Sequence, residues 1–140
     1  MPDVKLAQSA VEIERCFAVM SHLRPSLKQH EFAVRVKAQQ AEGYTLAYLE
    51  HGGSVVAVAG FRIQRMLSSG KTLYVDDLVT DALHRSHGHG RAMLDWLKEH
   101  ARSHECETFS LDSGTHRHEA HAFYFREHMR ITALHFQTTL

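Results

Sequence analysis

Apolar residues along the chain recur at two different spacings, and the alternation between them sets the predicted elements. After a short β-like start at Val4 to Leu6, Val11, Ile13, Phe17 and Met20 fall at roughly helical intervals behind Ser9-x-x-Glu12, a capping box. Pro25 breaks the run, and Ser26-x-x-Gln29 with Leu27, Phe32, Val34 and Val36 predicts a second helix stopped near Gly43. The pattern then turns β-rich over residues 44–50, 54–63 and 72–80. His51-Gly52-Gly53 and Ser68-Ser69-Gly70 supply the turns of an antiparallel meander. Gly60, inside the second strand, signals a bulge or a close approach by another chain or a ligand. Helical spacing returns over residues 88–104, with Ala92, Met93, Leu97 and Ala101 as the buried stripe. A strand over residues 107–111, a helix over 117–128 and a closing strand over 130–138 complete the order. The strand–helix–strand unit should be right-handed and locally parallel. The expected architecture is α+β, a mixed and mostly antiparallel sheet flanked by helices, in a single domain spanning residues 1–140.

Composition removes several classes of function. Sixteen basic residues balance sixteen acidic ones, so nothing draws the chain to nucleic acid or to an anionic membrane. The longest apolar run, residues 55–59, is too short to cross a bilayer, and the first residues lack a signal-peptide order. Cys16 and Cys106 suggest neither a disulfide framework nor a zinc spacing, and the expectation is a cytoplasmic protein with reduced thiols. Thirteen histidines, clustered at His84, His87 and His89 and again at His116, His118 and His121, raise a metal-binding alternative. They lack the spacing of a ligand set, so no metal is expected.

The chemistry concentrates in residues 78–94, where a strand ends in a glycine-bearing turn that opens a helix. Gly88 and Gly90 leave backbone N–H groups uncovered at the positive end of that helix, which suits phosphate. Arg85-Ser86-His87-Gly88-His89-Gly90 fits Arg/Gln-x-x-Gly-x-Gly/Ala, and on this motif the chain resembles the GNAT superfamily of N-acetyltransferases. Asp76-Asp77-Leu78-Val79-Thr80 looks like that family's fourth strand, and Ala120-His121-Ala122-Phe123-Tyr124 resembles its later Ala-x-x-Phe-Tyr helix.

The resemblance implies a GNAT-like acyl-CoA N-acyltransferase fold with acetyl-CoA as cosubstrate. The backbone of Arg85, Ser86, His87, Gly88, His89, Gly90 and Arg91 would hold the pyrophosphate, with the Arg85 side chain either touching phosphate or bracing the loop. Leu78, Val79 and Thr80 would pair with the pantetheine arm, and a backbone N–H near Val79 would serve the oxyanion. Arg117, where the family often has Asn, could reach a CoA phosphate. Tyr124 matches the family's general acid, the alternative being a core aromatic with a capped hydroxyl. Asp76 matches the first acid of the strand's acidic pair, as a base through water, an attractor for a cationic amine, or simply a partner for an arginine. Adjacent strand residues point to opposite faces, so only one of Asp76 and Asp77 should face the acceptor pocket. The family's glycine-aromatic helix exit is replaced by Glu127-His128-Met129-Arg130-Ile131.

These expectations describe an acetyl group moved from acetyl-CoA to an amine by direct transfer in a ternary complex. A GNAT-like acyl-CoA-binding module with weak or no catalysis and a His-rich metal-binding protein stand as alternatives. The amine acceptor itself is not legible, because Arg24, Lys28, Arg35 and Arg62 give no consistent polarity. A last strand at the sheet edge would allow a homodimer.

Overall fold

The computed structural model describes residues 3–84 and 87–140. By contact density the chain forms two compact units, Met1–Ser110 and Leu111–Leu140. The first carries β1 (Asp3–Leu6), α1 (Ala10–Arg15), α2 (Phe17–Leu23), α3 (Gln29–Gln40), β2 (Tyr44–His51), β3 (Ser54–Met66), β4 (Gly70–Thr80) and α4 (His89–Ser103). β5 (Thr108–Leu111) follows, and α5 (His118–Arg126) belongs to the second unit.

The strands form one sheet in the order β1-β2-β3-β4-β5, with the first three pairings antiparallel. α4 carries the chain back along the sheet, so β5 begins beside the beginning of β4, where the Glu107 N–H donates to the Lys71 carbonyl at 2.7 Å. β5 therefore runs parallel to β4 and the sheet is mixed, as the hydrophobic pattern anticipated. Gly52 and Gly53 turn the β2–β3 hairpin with positive φ at both positions, the conformation a two-residue turn requires.

One face of the sheet packs on the first three helices. Tyr44, Leu46 and Tyr48 of β2, Val58 of β3 and Val79 of β4 form a single buried cluster with Ile13, Val19, Met20, Phe32 and Val36. Cys16 sits buried between α1 and α2, and loss of solvent pushes its thiol up to about 12, so it stays protonated. The opposite face receives α4 through Met93, Leu94, Leu97 and Ala101. There the Phe61 ring meets Trp96 and His100 edge-on at 6.2 and 5.3 Å. Among the described residues no helix is long and apolar enough to cross a membrane.

Three expectations need correction. The first predicted helix is two, because the chain reorients at Cys16 after the Ser9–Glu12 capping box has started α1. The Ser26 capping box does not form: α3 starts at Gln29 with Lys28 as its N-cap and no side-chain cap. The closing strand is absent, since residues 129–140 carry neither helix nor strand. Ile131, Leu134 and Phe136 are 71, 77 and 88% exposed. A strand exists only where a neighbour accepts its hydrogen bonds, so apolar composition alone did not make one here. The expected homodimer edge goes with it.

Gly60 explains itself in this fold. A Cβ there would overlap the Tyr44 hydroxyl and ring, so the close approach comes from the chain's own β2. Gly60→Ala should lower unfolding free energy by about 1–3 kcal/mol through overpacking. Val34→Ala, at a position 73% exposed, should change it by less than about 0.5 kcal/mol. Urea denaturation of both variants checks the contrast.

Candidate active site

Ladder register places an extra residue in β4. Ala59 pairs with Leu78 and Gly60 with Asp77, but Phe61 pairs with Val75, leaving Asp76 without a partner on β3. This is a β-bulge, and at a bulge two successive side chains can share a face. Asp76 and Asp77 accordingly both line one cavity, together with Met20, Arg24, Phe32 and Tyr44. The expectation that only one aspartate could face the pocket is overturned. Strict alternation holds only while the ladder keeps its count.

Two carboxylates held side by side repel each other unless each has its own cation. Arg62, on β3 beside Tyr44 in register, donates Nε to both Asp76 oxygens at 3.1 Å, with Nη2 3.1 Å from Oδ2. Burial nonetheless raises the Asp76 carboxyl above its ordinary value, against the lowering effect of Arg62. Asp77 accepts the Tyr44 hydroxyl at 2.7 Å and Arg24 Nε at 3.0 Å, with Arg24 Nη2 at 2.9 Å. Arg24 also donates to the Asp76 carbonyl at 3.0 Å. Burial, then the nearby Asp77 charge, push the Tyr44 phenol far up, so it remains a neutral donor.

Sequence reading missed Tyr44 altogether and found no polarity in Arg24 and Arg62. The available signal was Gly60, whose missing side chain is the space that Tyr44 occupies. The cavity measures about 400 Å³, within the range of small-ligand sites.

The same strand ends in a second feature. The Asp81 N–H donates to the Val56 carbonyl at 2.8 Å, and this fixes the phase of the ladder. Val79 exchanges its hydrogen bonds with Val58, while the N–H and C=O groups of Leu78 and Thr80 point away from β3. Val79, expected to offer its backbone to a ligand, is thus engaged within the sheet, and its side chain belongs to the buried cluster.

The chain next makes a 3₁₀ turn at Ala82–His84. Gly88 follows at φ +80, the left-handed N-cap of α4. The first helical hydrogen bond is Ala92 N–H to Gly88 C=O, so the amides of His89, Gly90 and Arg91 point out along the axis. The Arg91 side chain lies on the surface 3.9 Å from Asp95, and the His89 ring is 5.4 Å from His51 and 5.9 Å from His87. Arg85 and Ser86 lie outside the described residues. Among the described residues, no three His, Cys, Asp or Glu side chains are grouped to hold a metal.

In the second unit, Tyr124 is half-buried on α5 and Arg117 is its N-cap residue. Burial raises the Tyr124 phenol, and the Arg117 charge and hydrogen bond pull it down, so Arg117 faces that hydroxyl. The helix exit works without glycine: His128 takes φ +66 and Met129 N–H reaches back to the Tyr124 carbonyl at 3.0 Å.

Arg62→Gln should move the Asp76 titration midpoint further upward, since it removes the attraction that favours the ionised carboxyl while burial persists. Carboxyl carbon shifts followed through a pH titration read this directly, and an unmoved midpoint would mean Arg62 does not set that charge.

Comparison with known proteins comes down on one family. The sequence profile described as "Acetyltransferase (GNAT) family" matches residues 8–128. The Bacillus subtilis (strain 168) protein named "Uncharacterized N-acetyltransferase YhdJ" is 34% identical over 125 residues, 89% of this chain and 88% of its own. Among solved structures, a Trypanosoma brucei acetyltransferase superposes with TM-score 0.79 at 23% identity over 100% of both chains. A ribosomal-protein-alanine N-acetyltransferase from Brucella melitensis biovar Abortus 2308 does so with TM-score 0.83 at 14% identity over 99% of both. Likenesses at such low identity speak for the fold, and the profile match and the Bacillus relative speak for descent. The chain belongs to the GNAT acetyltransferase family.

Proposed function

We propose that the protein transfers an acetyl group from acetyl-CoA to an amine directly, in a ternary complex with both substrates. The observation that carries this is the backbone of residues 78–80 together with that of residues 88–91. Outward-facing backbone at Leu78 and Thr80 leads through the left-handed Gly88 to the helix amides of His89, Gly90 and Arg91. An extended amide-bearing arm pairs with the first of these as a strand would, and a pyrophosphate suits the second. Arg85, Ser86 and His87 complete the phosphate-binding loop on this reading. Bound acetyl-CoA would supply the activated thioester.

In this proposal the amine enters beside Asp76. Its carboxyl, raised by burial, accepts a proton from the amine through water, and the amine attacks the thioester carbonyl. The oxyanion takes a hydrogen bond from the Leu78 N–H, a revision of the expected donor near Val79, whose own amide serves β3. Tyr124 gives its proton to the departing thiolate. The Arg117 cation beside the hydroxyl favours that loss, in place of the CoA-phosphate contact first expected of it.

Two variants test the reading. Tyr124→Phe should lower kcat on the order of 10²-fold with acetyl-CoA affinity retained, measured by thiol release and calorimetry. Full activity in that variant removes Tyr124 as the acid. Gly90→Val should weaken acetyl-CoA binding about tenfold or more, by obstructing the approach of phosphate to the helix amides. Unchanged affinity would refute the phosphate loop.

A further inference from the structure

We infer that the acceptor is a small amine that also carries an anionic group, a carboxylate or a phosphate, and not a polyamine. The inference rests on the acetyl-transfer reading of the same cavity and names its substrate class. The cavity is lined by two carboxylates, Asp76 and Asp77, and by two arginines, Arg24 and Arg35. Each carboxylate already has a guanidinium partner, so neither adds net negative charge to the cavity. Asp76 is held by Nε and Nη2 of Arg62, and Asp77 by Arg24 together with the Tyr44 hydroxyl. A polycation entering here would have to break one of these pairs to find a counter-charge.

The remaining charge is Arg35. It stands on α3 one turn before Gln39, which lines the same cavity, and among the described residues no acidic side chain pairs with it. Counting the arginine that neutralises Asp76, the cavity and its floor carry three guanidinium groups against two carboxylates. Arg35, an exposed residue of α3 that lines the cavity, is the guanidinium of the three without a carboxylate within ion-pair distance among the described residues, the nearest acid along its own helix being Glu31 one turn before it. A guanidinium fork matches carboxylate and phosphate oxygens. An acceptor anchored there by its anion would present its amine toward the β4 bulge.

Matched amine pairs test this: alanine against alaninamide for the carboxylate, phosphoethanolamine against ethanolamine for the phosphate, with spermidine as the polycation. Thiol release with acetyl-CoA should give a higher kcat/KM for the anionic member of at least one pair, and the pair that discriminates names the anion. Arg35→Gln should raise KM for that amine about tenfold while leaving kcat and the acetyl-CoA KM in place. Preference for spermidine or the uncharged partners, or an unchanged KM in Arg35→Gln, overturns the inference and leaves acetyl transfer standing. Absence of turnover with every amine, despite acetyl-CoA binding, overturns the transfer reading instead. In that case calorimetric titration of the same amines into wild type and Arg35→Gln decides the anion site by itself. Arg35-dependent binding of the anionic amines supports it, and no such binding refutes it.

Discussion

One extra residue in β4 governs both ends of the candidate site. Because Asp76 has no partner on β3, the strand's count slips by one between Val75 and Asp77. Upstream of the slip, Tyr74 pairs with Arg62; downstream, Asp77 pairs with Gly60. Both aspartates then reach one cavity, and every later residue changes its phase. Without the bulge, Leu78 and Thr80 would turn their backbone groups into the β3 ladder and Val79 would turn its own outward. The acceptor floor and the outward-facing backbone are therefore consequences of the same insertion.

The bulge brings a cost that the surrounding residues answer. Adjacent carboxylates at low exposure are unfavourable, and each ion pair must recover the desolvation of its members. Arg62 answers Asp76 from the neighbouring strand, and Arg24 with Tyr44 answers Asp77 from the end of α2 and the start of β2. Tyr44 can stand there only because position 60 has no side chain. Such a network is weak evidence for stability. What it does is fix the floor's geometry and its charge, leaving Arg35, among the described residues, as the cavity-lining arginine without an ion-pair partner.

Much of this was legible beforehand. The β-rich runs, the Gly-Gly hairpin turn, the Ser9 capping box and the α4 stripe follow from local spacing and turn chemistry, and the structure keeps them with ends shifted by a few residues and with Leu94 in place of Ala92 in the stripe. Gly60 was flagged correctly, though its neighbour proved to be the chain's own tyrosine. The Asp-Asp pair between Val75 and Leu78 even breaks strict alternation, a trace of the bulge that a strand-by-strand reading passes over. The last segment misled for the opposite reason, since its apolar residues are strand-like and no neighbour pairs with them.

By itself the sequence determined the β2, β3, β4 and α4 segments and where a glycine turn opens α4, because those outcomes depend on residues within one or two turns of each other, whereas the last segment needed a neighbouring strand it does not have. The register of β4 against β3, the sharing of one cavity by Asp76 and Asp77, and the choice of Arg24 and Arg62 as their partners were decided only by tertiary structure. Arg24 lies 53 positions from Asp77 and Tyr44 lies 33. Contacts over such separations are set by how sheet and helices pack, and no local spacing encodes them.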